Sequence, residues 1–370
     1  MATKNLLLGS TALVGAGLLQ IGLPGTAGAA EVLPGGALDV TISGFARFLA
    51  TGGDLDAQRN NDTTSTGLDF RNDTEVHVIL RGKHDATGME YGGTVEFEAD
   101  TNRTDNTDET WLFIRGGFGE ARFGDEDGAV DNSAIGAYTV AASTGGIDGT
   151  VVDVLAISPV RPTNSNDATK IRYYTPSFGG FQLGVSYTPN ADIGVDPTNS
   201  FAAVSGDTLA NKDVELGDWV EGAAVYKGAF GGVGVQASLV GSIADIKDEA
   251  ALGGDDGWAW YGGAALDLFG FKVAGGFGDE EFGSLEKTYF NAGGAVKLGP
   301  ANVSINYGQI IDSEGYTADE PNNIILGADV GPMPGLIVGA ELLYFDNDIE
   351  DPVSDDDNGW VYLGTIRLAF

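Results

Sequence analysis

The chain has 370 residues, no cysteine, and 19 Lys plus Arg against 54 Asp plus Glu, for a formal net charge of −35. That balance excludes nucleic acid as a partner, because its binding rests on cationic contacts with phosphate, and the lack of cysteine excludes disulfides, thiolate metal centres and cysteine nucleophiles. The acidic excess and the 58 glycines are shared with disordered chains, but 42% hydrophobic residues in short, evenly spaced blocks belong to a folded β protein.

Met1–Asn5 carries Lys4, Leu6–Leu23 has no charge, and Pro24-Gly25 leads into Thr26-Ala27-Gly28-Ala29-Ala30. A basic start, an apolar middle and a small-residue site in this order predict a secretory signal peptide over residues 1–30, cleaved after Ala29 or Ala30, rather than a retained membrane helix. No later stretch of about twenty apolar residues follows, so no helix is expected to cross a membrane. Residues 31–370 read as one domain.

From Leu38 onward the chain repeats a segment of roughly ten residues that alternates apolar with polar or small, as period two requires of a strand with unlike faces. Val40 and Ile42 share a face opposed by Asp39, Thr41, Ser43 and, continuing the parity, Arg47. Val76, Val78 and Leu80 oppose Arg71, Asp73, Glu75, His77 and Arg81; Tyr91, Val95 and Phe97 oppose Glu96, Glu98 and Asp100; Phe123 opposes Glu120 and Arg122. Trp111–Arg115 is ambiguous because both faces are apolar, and the strands after Phe181 keep the period with weaker polarity. Tight connections rich in Gly and Pro (85–88, 116–119, 177–180, 229–232, 267–270, 298–301, 331–335) alternate with long acidic ones, among them 51–66, 101–108, 190–216, 279–284 and 311–320. The count predicts an all-β, up-and-down antiparallel meander of sixteen strands. One continuous apolar face and unpaired edges are both accommodated if the sheet closes into a transmembrane barrel with lipid outside and water inside. An acidic β-sandwich or solenoid is the soluble alternative, and it calls for more Leu, Ile and Phe and no turn asymmetry.

The stretch from about Asp125 to Asp167 lies between the strands Glu120–Phe123 and Lys170–Thr175. A connection of this length is functional or disordered, and this one carries Val130, Ile135, Tyr138, Val140, Val154 and Ile157 beside Asp125, Glu126, Asp127, Asp131, Asp148 and Asp153. Apolar side chains that seek burial and carboxylates that seek water fit a loop folded into a wet barrel better than a disordered surface excursion.

The last segment, Gly359–Phe370, places Trp360, Tyr362, Gly364, Ile366, Leu368 and the terminal Phe370 on one face. It resembles the C-terminal signature by which bacterial outer-membrane β-barrels are recognised for assembly. Gly117-Phe118-Gly119-Glu120-Ala121-Arg122-Phe123-Gly124 and the run from Arg172 to Tyr187 resemble the segments flanking the constriction loop of Gram-negative general-diffusion porins. The resemblance covers essentially the whole chain. It implies an outer-membrane homotrimer of sixteen-stranded barrels, made with the barrel-assembly machinery and surrounded by lipid and lipopolysaccharide, with the third extracellular loop, after the fifth strand, folded into each pore. Carried over residue by residue, it implies an acidic constriction of Asp125, Glu126, Asp127, Asp131, Asp148 and Asp153 opposite a basic wall of Arg47, Arg71, Arg81, Arg115 and Arg122. Phe370 is the assembly signal. Such a channel passes small hydrophilic solutes and ions by passive diffusion, and the acidic excess predicts cation preference.

Two other functions compete with this one. An outer-membrane barrel hydrolase would need a base, and only His77 and His84 are available; His77 shares a face with Asp73 and Glu75, a loose acid–base grouping. A substrate-selective channel would need an aromatic track or a basic cluster, and Trp258, Trp260 and Tyr261 are better explained as membrane-interface aromatics. No cofactor is required, although acidic runs such as Asp355-Asp356-Asp357 offer oxygen ligands for structural Ca²⁺ without the spacing of a defined calcium loop.

Overall fold

The computed structural model describes residues 30–31, 38–55, 68–99, 107–144, 160–193, 214–247, 253–315, 318–349 and 357–370. The signal-peptide segment, Asp148, Asp153 and the side chain of Arg71 lie outside the described residues. Sixteen long strands follow in order: β1 Asp39–Leu55, β2 Asp69–His84, β3 Met89–Glu98, β4 Thr110–Gly116, β5 Gly119–Glu126, β6 Ala168–Tyr174, β7 Phe181–Ile193 and β8 Val214–Phe230. The second half comprises β9 Val233–Ile246, β10 Asp256–Leu268, β11 Phe271–Phe282, β12 Leu285–Leu298, β13 Ala301–Glu314, β14 Ala318–Met333, β15 Leu336–Ile349 and β16 Asp357–Ala369. Ala30–Glu31 adds a two-residue pairing to β1.

Every neighbouring pair is antiparallel, and β16 returns to pair with β1 from Gly359 opposite Leu55 to Ala369 opposite Phe45, so the barrel closes. Phe370 seals the seam: its N–H and carbonyl exchange 3.0 Å hydrogen bonds with the Gly44 backbone. Closure removes the edges that an open sheet would expose to lipid.

The alternation resolves into an outer and an inner face. Leu112, Ile171, Leu183, Leu239, Ile305, Leu326, Trp360, Tyr362, Ile366, Leu368 and Phe370 are exposed on the outside, forming the apolar surface a bilayer requires, while their strand neighbours point inward. The ambiguity at Trp111–Arg115 is settled by β4, where Leu112 and Ile114 are exposed and Trp111, Phe113 and Arg115 point inward. Trp111 is tolerated inside because the Arg122 guanidinium stacks over its ring at 3.9 Å. Of the aromatics assigned to the membrane interface, Trp258 and Trp260 face out, but Tyr261 is fully buried inside the barrel.

Two acidic stretches expected to be long loops are mostly strand. β11 runs to Phe282 and β12 starts at Leu285, leaving Gly283-Ser284 as the connection, and β13 reaches Glu314. Their ladders continue past the apolar band, so the side chains turn polar while the backbone stays paired.

The core lies inside the barrel. Ala129, Val130, Ala137 and Val160 from the connection between β5 and β6 pack with inward residues of the wall, including Val240, Tyr261, Tyr289, Ile310, Ile325 and Leu343. Burying each of the larger aliphatic side chains contributes about 1.5–3 kcal/mol.

Candidate functional site: the interior wall and the connection after the fifth strand

β5 extends to Glu126 and β6 begins at Ala168, so Asp125 and Glu126 end a strand and the connection itself is 127–167. Its described parts are tied to inward-pointing side chains, one strand after another. Ala129 N–H donates to Ser186 Oγ on β7 (3.0 Å), Val130 N–H to Glu221 on β8 (3.2 Å), Ile135 N–H to Ser238 Oγ on β9 (3.0 Å) and Ala137 N–H to Asn291 Oδ1 on β12 (2.7 Å). Ala142 N–H then donates to Ser304 Oγ on β13 (2.8 Å), Ser143 N–H to Asp329 on β14 (2.8 Å) and Thr144 N–H to Glu341 on β15. A single 3₁₀ turn, Ala137–Val140, is the only regular element among its described residues. A buried loop must find partners for its backbone, and here the wall supplies them.

The returning limb uses the same wall. Ser165 N–H donates to the other oxygen of Glu221 at 2.6 Å, so one carboxylate holds both limbs. Thr163 donates from its N–H (3.1 Å) and Oγ1 (2.6 Å) to Glu280, which also pairs with Lys287 at 3.0 Å; both of these charged side chains are 1% exposed. Inward glycines make room for the close approach. A Cβ on Gly263 would lie 1.7 Å from the Ile135 carbonyl oxygen, and one on Gly327 would lie 2.8 Å from that of Ala142.

The wall of β1 to β5 carries charge instead. Arg47 pairs with Asp73; Arg115 with Glu90 (2.7 Å) and Glu120 (3.4 Å); Arg122 with Glu120 (2.7 Å) and Glu126 (3.1 Å). Arg115 sits beside the tight turn at 117–118, and Arg81, exposed, lies near the turn at 85–88. Glu126, 1% exposed, also pairs with Arg172 at 2.7 Å. Asp131 pairs with Arg161 of the returning limb at 3.3 Å. Lys170 donates to the carbonyls of Glu126 and Asn166. Sequence parity marks Lys170 and Arg172 as inward, but their closeness to Glu126, some 45 residues away across a folded connection, has no local signal.

At the root of the connection Glu109, Asp127 and Asp167 gather their carboxylate oxygens within 4.8 Å of one another, a donor set suited to a hard cation. Burial, with the adjacent Asp127 and Glu96 carboxylates adding to it, pushes Glu109 up to about 8. Enclosure and the neighbouring Glu109 and Asp108 carboxylates push Asp167 up to about 8 although its side chain keeps contact with solvent, and burial raises Asp127 well above the usual range. On β2, His77 Nε2 lies 2.9 Å from Glu75 and 3.3 Å from Glu96, while Asp73 is engaged by Arg47.

The chain matches the family model for the Gram-negative porin over residues 9–350. No curated protein sequence matches it. Among solved structures it is similar to an anion-selective porin from Comamonas acidovorans, with a TM-score of 0.61 and 16% identity over 90% of this chain and 100% of that one. It is also similar to the outer membrane channel DcaP of Acinetobacter baumannii, with a TM-score of 0.60 and 14% identity over 90% of this chain and 98% of that one. OmpT, an outer membrane protein of Vibrio cholerae, gives a TM-score of 0.57 at 13% identity, over 92% and 100% of the two chains. At these identities the structures speak for the fold, and the family match covers nearly the whole chain. With its closed sixteen-stranded barrel, apolar exterior and polar interior, the protein belongs to the Gram-negative porin family and is an outer-membrane channel.

Proposed function

We propose that the channel passes small hydrophilic solutes and ions by passive diffusion, prefers cations, and is narrowed by the connection between β5 and β6 folded into its lumen. The observation that carries this reading is the sequence of hydrogen bonds holding 129–144 and 160–165 against β7 to β15. The remaining open wall is then the charged one of β1 to β5. There the arginines Arg47, Arg115 and Arg122 are each matched by carboxylates, Glu75 and Glu96 add further carboxylates along the path, and Glu109 and Asp167 join them once they ionise above about pH 8. Fixed carboxylates at close range raise the local cation concentration and repel anions. The anion-selective porin of similar fold is a reminder that the barrel does not set the sign; wall charges do.

Assembly as a homotrimer with lipopolysaccharide at its rim belongs to the same proposal, as does a channel without enzymatic activity: His77 Nε2 meets two carboxylates, not a hydroxyl nucleophile. Reversal potentials of the purified protein in a planar bilayer under a salt gradient test the sign. Cation preference is expected, and anion preference would overturn it.

A further inference from the structure

Glu75 and His77 are two residues apart on β2 and so project from the same inward face. The antiparallel register sets Glu96 of β3 directly opposite His77. All three side chains keep some solvent access, at 20%, 24% and 17% exposure, so a solute in the lumen reaches them. The ligand atoms lie within 4.8 Å of one another, with His77 Nε2 2.9 Å from Glu75 Oε2 and 3.3 Å from Glu96 Oε2.

These separations are informative. Zinc bonds of about 2.0–2.2 Å to imidazole nitrogen and carboxylate oxygen place neighbouring corners of a tetrahedron about 3.3–3.6 Å apart. The 3.3 Å contact of His77 with Glu96 already has that spacing, the 2.9 Å contact with Glu75 is a hydrogen bond that needs to open by about half an ångström, and all three residues sit on paired strands. Two carboxylates and one imidazole form a three-ligand set that leaves a fourth position open toward water. An imidazole nitrogen selects for borderline metals such as Zn²⁺, Ni²⁺ or Fe²⁺, whereas Ca²⁺ and Mg²⁺ favour all-oxygen sites.

We propose that Glu75, His77 and Glu96 form a binding site for a divalent transition-metal ion of the Zn²⁺ class on the pore wall. The site requires only that this wall meet water, so it stands apart from the cation preference proposed above. The rival occupant is a proton on His77, bridging the two carboxylates as imidazolium.

The test is calorimetric titration of Zn²⁺ into the detergent-folded barrel, with folding of each variant checked by heat-modifiable electrophoretic mobility. One saturable site per chain is expected in the wild type. His84→Ala should leave it unchanged, since the other histidine in the chain contacts Thr87 beside a tight turn. His77→Ala should weaken it by more than about tenfold, the loss that even an outer-shell partner of a metal ligand causes. Glu96→Gln, which keeps the side-chain size, should give a similar loss and decides the matter if His77→Ala does not fold. Zn²⁺ affinity equal to the wild type's in folded His77→Ala or Glu96→Gln, or displacement of Zn²⁺ by an equal concentration of Ca²⁺, would overturn the assignment.

Discussion

Strands β1 to β5 and strands β7 to β15 share one alternation of outward apolar and inward residues, yet their inward faces differ. The first wall presents Arg47, Asp73, Glu75, His77, Glu96, Arg115, Glu120 and Arg122; the second presents Ser238, Val240, Tyr261, Gly263, Ala265, Asn291, Ala295 and Ser304, and of its charges Glu221, Glu280, Asp329 and Glu341 bond to the connection, Lys287 pairs with Glu280, and Lys227, Asp267 and Lys272 line a cavity beside Val140. The difference lies in what each wall faces. Charged residues suit water, whereas small, apolar and hydroxyl-bearing ones suit a polypeptide that brings its own apolar side chains and unpaired N–H groups. On the proposed reading of the connection, two peculiarities of the sequence, a loop too apolar for the surface and later strands too apolar for a pore lining, are two sides of one interface.

The largest way to break this contrast is to unbalance the charge buried on the second wall. Glu280→Ala removes the carboxylate from Lys287 and from both donors of Thr163. Breaking a buried pair from one side costs about 3–5 kcal/mol. We expect a marked fall in the temperature at which the folded electrophoretic form is lost, and a noisier, larger single-channel conductance as the returning limb comes loose. Unchanged conductance noise in a folded variant would count against the limb's role.

Next comes a pair of adjacent glycines. Gly263 faces the Ile135 carbonyl, whereas a Cβ on Gly262 meets only Leu239 at 3.8 Å on the outer side. Gly263→Ala should force the connection away from the wall, costing about 1–3 kcal/mol as overpacking does, and change conductance; Gly262→Ala should alter neither. Equal effects at both positions would mean that the two faces have been confused.

The two walls are not equally legible in the sequence. Inward and outward parity follows from period two alone, so Arg47, His77, Arg122 and the lipid-facing row ending at Phe370 can be assigned from the alternation itself. The burial of Val130, Ile135 and Val140 follows from their being apolar in a long connection. What holds them does not: Glu221 lies 91 residues from Val130 and Glu280 lies 117 from Thr163, and no local pattern encodes pairing at that range. The same limit hides the pairing of Glu126 with Arg172. The acidic strand ends at 279–282 and 311–314 escape a reading by polarity because polar side chains suggest loop, while backbone pairing is indifferent to them.

On the charged wall, Arg122→Ala sharpens the comparison at smaller scale. It removes one positive charge and leaves Glu126 paired with Arg172 at 2.7 Å. The barrel should fold, and the reversal potential should shift further toward the cation limit; a shift toward the anion limit would remove Arg122 from the ion path.

The smallest effect is a pH dependence at the root of the connection, where the two walls meet. Glu109 and Asp167 both titrate at about 8, raised first by burial and then by neighbouring carboxylates. Below that pH they hold protons and contribute little negative charge; above it they ionise and add to it. Cation preference should therefore rise between pH 7 and pH 9. Stability should move the other way, because an unfolded carboxylate releases its proton near its ordinary value while the folded one retains it up to about 8. Between those two values the folded state binds more protons, so stability falls as pH rises toward about 8. Glu109→Gln removes one of the ionising groups and should flatten both trends together. If selectivity flattens and stability does not, the carboxylate lies in the ion path without being strained by its surroundings, and the burial assigned to Glu109 is wrong.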